Sequence, residues 1–226
     1  LSVSRGLGDV YKRQISIIAI QLRSIQENNV VLDMQKKIVS SAGLTTVYGS
    51  VENAMSNIKT MIIDLDKGEI VDISPDSYEL AKELREEGKY KFLSAENDIA
   101  SIKKREKFSK VYIEYKDDKI NTLILPVRGY GLWGILYGYL AIEGDFNTVA
   151  GLEFYEHKET PGLGAEIDNP KWKALWNGKK IYQEDGQVSL KVIKGSVLEN
   201  SDDFVYEVDG LSVSYTHLTL PTTLVV

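Results

Sequence analysis

Two glycine-bearing stretches hold the residues whose types and spacing invite chemistry: RGYGLWG at 128–134 and ETPGLG at 159–164. In the first, Gly129, Gly131 and Gly134 satisfy G-x-G-x-x-G after a strand-like run. A dinucleotide fingerprint also needs a helix directly afterwards, whose N-terminus holds the pyrophosphate. Here ILYGYLAI follows, rich in β-branched and aromatic residues, so the reading is a tight loop that lets backbone approach closely, with Tyr130 and Trp133 beside it. In the second stretch Pro161 fixes one dihedral, while Gly162 and Gly164 leave backbone N–H groups exposed. Such a loop can donate to the carbonyls of a planar heteroaromatic ring while Leu163 covers its face. An ordinary loop before a helix has the same composition.

Other chemistry has little to build on. The chain has no cysteine, which removes disulfides, thiolate metal sites and iron–sulfur ligation. Its histidines are His157 and His217, too few for a histidine zinc site or a Ser-His-Asp triad. No acid–base or nucleophile constellation stands out, so no catalytic residue and no metal ligand is assigned. Asp117-Asp118 reads as a solvated turn rather than a cation site. A formal net charge of −6 argues against a nucleic-acid partner, which needs clustered Lys and Arg.

The elements that must position these loops are legible in outline. VENAMSNIKT reads as a short helix leading into a hairpin, with strands at 60–65 and 69–73 joined by Asp66-Lys67-Gly68. SPDSYELAKELREEG reads as a helix capped by Ser74 or Asp76 and ended by Gly88. KVYIEY, INTLILPV, ILYGYLAI and VAGLEFYE are strands, the last two joined by the turn EGDFNT, and QVSLKVIKG is a further strand. The pattern predicts an α+β fold: a single domain with a twisted antiparallel sheet and flanking helices.

The two ends read differently from the rest. Back-translated as GAT GTG TAT AAG AGA CAG, the run DVYKRQ at 9–14 has a reverse complement containing GTC TCT TAT ACA CAT, which encodes Val213-Ser214-Tyr215-Thr216-His217. Both ends thus resemble one transposase-type sequencing adapter read from opposite strands. Residues 1–14 and 213–226 are therefore set aside as adapter-derived. Next to the first of them, ISIIAIQL at 15–22 is too short to span a bilayer, which takes about 20 residues. By length it is a buried strand or helix end; beside a cut it reads as the remnant of an N-terminal transmembrane anchor. Residues 23–58 then form a juxtamembrane helical region, amphipathic through Ile25, Val31, Leu32, Ile38 and Val39 and stopped at Gly43. The main domain runs over 59–212.

RGYGLWG, the run YEHKETPGLGAEIDNPKWKALWNGKK at 155–180 and VDGLS at 208–212 together resemble the C subunit of the sodium-translocating NADH:quinone reductases. ETPGLG alone is also similar to the G subunit of the Rnf electron-transport complex; DNPKWKALWNGKKIY resembles the quinone-reductase subunit more specifically. The resemblance implies an FMN-binding domain on the outer side of the bacterial inner membrane, held by a single-pass anchor. It would relay electrons within a sodium-exporting translocase and work with the other subunits and a flavin transferase. FMN in that family is a phosphoester on threonine within Asp-Gly-x-Ser-Gly-Ala-Thr. Asp209, Gly210, Leu211 and Ser212 match the first four positions, whereas Val213, Ser214 and Tyr215 stand where Gly, Ala and Thr are expected. The covalent FMN threonine is thus absent, replaced by adapter sequence. The resemblance further implies that the backbone around Glu159, Thr160, Pro161, Gly162, Leu163 and Gly164 faces the flavin. Trp133 is either a wall of that site or a core residue, and Lys194 either balances the phosphate or is a solvated lysine. Two other readings stay open: the Rnf G subunit, and a non-redox extracytoplasmic binding module of the same fold.

Overall fold

The computed structural model describes residues 23, 25–26, 28–198 and 200–211. The proposed adapter segments, the anchor remnant at 15–22 and Ser212 lie outside the described residues. Residues 28–41 are helical (α1), and the chain divides within that run into one unit ending at Lys36 and a second beginning at Lys37. In the first unit Ile25, Val31 and Leu32 are exposed. Among the described residues, no helix is long and apolar enough to cross a membrane.

The second unit is built on a six-stranded sheet in which every neighbouring pair is antiparallel, in the order β2-β1-β5-β6-β7-β8. Its strands are β1 (Ile58–Asp64), β2 (Glu69–Val71), β5 (Phe108–Lys116), β6 (Lys119–Tyr130), β7 (Ile135–Glu143) and β8 (Val149–Glu156). Short pairs complete the strand set: β3 (Tyr90–Phe92) with β4 (Lys104–Glu106), and β9 (Lys191–Val192) parallel to β10 (Glu207–Val208). Local chemistry explains the hairpins. Asp117 and Asp118 both have positive φ, 51° and 59°, as the two-residue turn between β5 and β6 requires of residues that tolerate the left-handed region. At the β1–β2 turn Asp64 accepts from the backbone N–H groups of Asp66 and Lys67, and Gly68 takes φ 68°.

Both faces of the sheet are covered, and alternation along β7 divides its side chains between them. Leu136, Leu140 and Ile142 face a large core with Leu152, Phe154, Ile167, Trp172 and Trp176. Tyr139 and Ala141 face a smaller one with Ile38, Val39 and Leu44. On this second face lie the end of α1, α2 (Leu44–Tyr48) and α3 (Val51–Ser56). Gly151 admits the end of α1, since a Cβ there would meet the Ser41 carbonyl oxygen at 2.3 Å. Glu153 on the edge strand accepts from Lys37 (2.8 Å) and Lys173 (2.7 Å), tying elements from both faces to one strand.

Two expectations need correction. The helix read through 74–88 is a 3₁₀ turn at Pro75–Ser77 and a four-residue α4, Leu80–Glu83. Neither Ser74 nor Asp76 supplies a side-chain cap; the Ser74 side chain makes no cap bond, and Tyr78 leaves the helical region because its hydroxyl reaches the Phe108 carbonyl (3.0 Å). The strand read over QVSLKVIKG is broken in two: Val188 makes an isolated antiparallel bridge with Tyr182, and only Lys191–Val192 pairs as a strand, alongside Glu207–Val208.

Candidate functional site

Register brings the two glycine-bearing loops together. Tyr137 near the start of β7 pairs with Glu156 at the end of β8, so the turn before β7 and the loop after β8 leave the same end of the sheet. The turn at 131–134 is closed by the Gly131 N–H donating to the Gly134 carbonyl (2.7 Å), and it carries Leu132 and Trp133 exposed, Trp133 at 63%.

Glu159 joins the two. It is only 5% exposed, and its Oε1 accepts the backbone N–H of Trp133 at 3.0 Å. Gly131 makes room for this: a Cβ there would stand 2.5 Å from Glu159 Oε1. The second carboxylate oxygen, Oε2, is buried and has no hydrogen-bond partner among the described residues. Ahead of it, His157 Nδ1 accepts from the Glu159 N–H (3.3 Å), and its Nε2 meets Asp168 Oδ2 at 2.8 Å. The loop then turns on Thr160, whose carbonyl accepts from both Leu163 N–H and Ala165 N–H at 3.1 Å. Gly162 has φ 74°, the left-handed region that glycine enters without steric cost. Thr160, Pro161, Gly162 and Leu163 are exposed and Gly164 is buried.

The Asp209 segment is anchored nearby in the fold. After the loop come a 3₁₀ turn, Gly164–Asp168, and α5, Pro170–Ala174, started by Asn169 accepting from the Lys171 N–H (3.0 Å). Trp172 of α5 donates Nε1–H to the Asp209 carbonyl at 2.8 Å. Asp209 Oδ1 accepts from Val197 N–H (2.8 Å), and Gly210 N–H donates to the Gly195 carbonyl (2.8 Å). A Cβ on Gly210 would lie 2.2 Å from the Ile193 carbonyl oxygen, so Lys194, exposed between Ile193 and Gly195, sits beside this glycine. Leu211 packs on the large core that also holds Ile167 and Trp172.

The predicted residues therefore form two joined groups. Glu159 binds Trp133 and its turn to the 159–164 loop, and Trp172 binds Asp209 to the helix that follows that loop. Trp133 is exposed, so the core reading of it is set aside. A cavity of about 410 Å³ lined by Ile99, Gln183, Val188, Leu190, Lys191 and Tyr206 among others contains none of the predicted residues. Sequence reasoning assigned Glu159 by its backbone and missed its side chain, and it missed Trp172 and the His157–Asp168 pair. The signal available was Gly131 between two aromatic-bearing positions, a glycine with φ outside the left-handed region and therefore there for space.

A profile of the FMN-binding domain matches residues 131–212, which contain both loops and the Asp209 segment. The C subunit of the Na⁺-translocating NADH-quinone reductase of Pseudomonas aeruginosa is 47% identical over 199 residues, covering 86% of this chain and 76% of that protein. The chain belongs to this family of quinone-reductase C subunits. The Vibrio vulnificus relative of the same name is 38% identical over 213 residues, 94% of this chain and 82% of its own length. The crystal structure of Shewanella oneidensis NqrC superposes with a TM-score of 0.67 at 28% identity, covering 79% of this chain and 82% of that one. These matches carry the NqrC name rather than that of the Rnf G subunit. They agree with the α+β, antiparallel architecture expected from the sequence.

The residues present fit an FMN. Among the described residues a buried carboxylate oxygen lacks a partner, Gly162 leaves the backbone of the 159–164 loop open, and Trp133 and Leu163 are exposed apolar surfaces on the two joined loops. Flat ligands are held in this way, by a few placed polar groups among apolar ones.

Proposed function

We propose that this domain is the FMN-carrying electron-transfer subunit of a Na⁺-translocating NADH-quinone reductase, relaying electrons from NADH towards quinone. Further elements of the reading are a membrane anchor, placement on the outer face of the inner membrane, and maturation by a flavin transferase. The observation that carries it is the Glu159 bridge between the turn of Trp133 and the loop of Leu163, inside the segment that matches the FMN-binding domain. Bound FMN supplies reversible one- and two-electron chemistry, which no amino-acid side chain offers at low potential. The chain's own residues bind and orient. The backbone of the loop at Gly162 and Gly164 would hold the ring carbonyls, Leu163 and Trp133 would exclude water from the ring, and Lys194 would balance phosphate charge beside Gly210. No proton-transfer residue is required for electron relay, and none is assigned.

The covalent link in this reading belongs to a threonine at 215. The test is coexpression with a flavin transferase. The chain as it stands should give no fluorescent band after denaturing electrophoresis, because the aligned hydroxyl is the Tyr215 phenol, of different reach and acidity. Substituting Val213→Gly, Ser214→Ala and Tyr215→Thr together should produce the band. A band in the unsubstituted chain, or none after restoration, overturns the attachment reading.

A further inference from the structure

We propose that the Glu159 side chain is a positioning residue for the flavin site: it pins the Trp133 turn to the 159–164 loop and gives the ring a nearby negative charge. This rests on the FMN reading above but concerns a different group, because that reading uses only backbone around Glu159.

Three observations support it. The carboxylate is nine-tenths buried yet spans from one loop to the other, accepting the Trp133 N–H at 3.0 Å. Gly131 is small where the carboxylate must pass, since a Cβ would approach Oε1 to 2.5 Å and the Cδ atom to 3.2 Å. Finally, among the described residues Oε2 is left without a partner and no Lys or Arg forms an ion pair with Glu159. Burying a carboxylate with one donor is costly, and a hydrophobic residue would close the two loops with less penalty. The arrangement makes sense if orientation of Trp133 and local charge are both used. With the loops joined, the exposed Trp133 and Leu163 are held in place before the ring arrives, which lowers the ordering cost of binding. An unneutralised carboxylate disfavours added electron density on the ring and so holds its potential down.

The experiment uses the full chain carrying the restored Gly-Ala-Thr, with and without flavin. Glu159→Gln keeps an oxygen that accepts from Trp133 but removes the charge; Glu159→Ala removes both. In flavin-free protein, Trp133 amide exchange should be roughly tenfold faster or more in Glu159→Ala, as loss of a hydrogen bond to a charged group implies, and near the unsubstituted rate in Glu159→Gln. In flavinylated protein, Glu159→Gln should shift the midpoint potential of the flavin to a more positive value. Unchanged Trp133 exchange in Glu159→Ala overturns the positioning role. An unmoved or more negative potential in Glu159→Gln overturns the charge role, and this variant decides the matter even where Glu159→Ala does not fold. Failure of the restored chain to take flavin would instead strike the FMN reading, while the exchange result still judges the bridge between the loops.

Discussion

Trp172 donates its indole N–H to the backbone carbonyl of Asp209 at 2.8 Å, so a core tryptophan of α5 holds the residue that opens the proposed attachment segment. The carboxylate of the same aspartate is engaged separately by the Val197 N–H. Asp209 is therefore fixed at two points before the chain reaches Gly210, and α5 in turn follows the 159–164 loop after the 3₁₀ turn Gly164–Asp168. A flavin tethered beyond Leu211 would be delivered from a leg already oriented by the helix next to its binding loop.

The two core tryptophans of α5 and its end separate hydrogen bonding from packing. Trp172 and Trp176 are both buried, 5% and 3% exposed, and their rings meet edge to face at 5.6 Å. Trp172 Nε1 has Asp209 as partner, whereas Trp176 Nε1 is buried without one among the described residues. Trp172→Phe should cost about 1–3 kcal/mol beyond the packing loss, because the Asp209 carbonyl is left unpaired. Trp176→Phe should cost less, since it removes a donor that was already unsatisfied. Urea unfolding of both variants measures the difference; equal losses would show that the Trp172 bond contributes nothing.

Gly131→Ala should destabilise the domain, by about 1–3 kcal/mol as overpacking commonly does, because the new methyl meets Glu159 Oε1. The effect should largely vanish in a Glu159→Ala background, where no carboxylate remains to be met. That non-additivity in a double-mutant cycle is the signature of direct contact. Additive losses would mean that the glycine serves the turn alone.

Much of this was legible in the sequence, and the failures have physical causes. The β5–β6–β7–β8 meander could be read because alternating apolar runs are joined by turn residues with their own chemistry, such as Asp117-Asp118. ETPGLG and DGLS could be located by type and spacing. What could not be read is any partnership across distant segments: Glu159 with Trp133, Trp172 with Asp209, His157 with Asp168. The 74–88 helix failed because good helix formers were overridden by one long-range contact, the Tyr78 hydroxyl on Phe108. The 187–195 strand failed because a strand's extent is set by its partners, here Tyr182 for Val188 and two residues, Glu207–Val208, for Lys191–Val192.

Gly210 tests the proposed leg. A Cβ there would lie 2.2 Å from the Ile193 carbonyl oxygen, a backbone atom that cannot swing aside. Gly210→Ala should therefore loosen the segment after Val208 and lower thermal stability, by about 1–3 kcal/mol. Gly178→Ala is the control: its φ of 77° is strained for alanine but nothing lies within 4 Å, so the cost should be about 1 kcal/mol. In the restored chain, Gly210→Ala should also slow flavinylation, whereas Gly178→Ala should not. Equal flavinylation rates would remove the leg from the site.

The β7–β8 turn predicts a pH dependence of stability. Asp145 is pushed upward by its partial burial. That push is outweighed by hydrogen bonds from the Thr148 hydroxyl and N–H, the Asn147 N–H and the Lys180 ammonium, which hold its carboxyl well below the ordinary value of 3.8. A depressed folded-state value means that the folded protein resists protonation more than the unfolded chain does. The stabilisation is thus complete above the unfolded value and is lost as pH falls below about 4 towards the folded one. Asp145→Asn should lower stability at pH 7 by about 1 kcal/mol, a modest figure because the side chain is nearly half exposed. The gap between Asp145→Asn and the unsubstituted protein should then narrow as pH is taken from 5 to about 2. Denaturant midpoints across that window measure it. A gap that stays constant would show that the turn is held by backbone geometry rather than by the charge on Asp145.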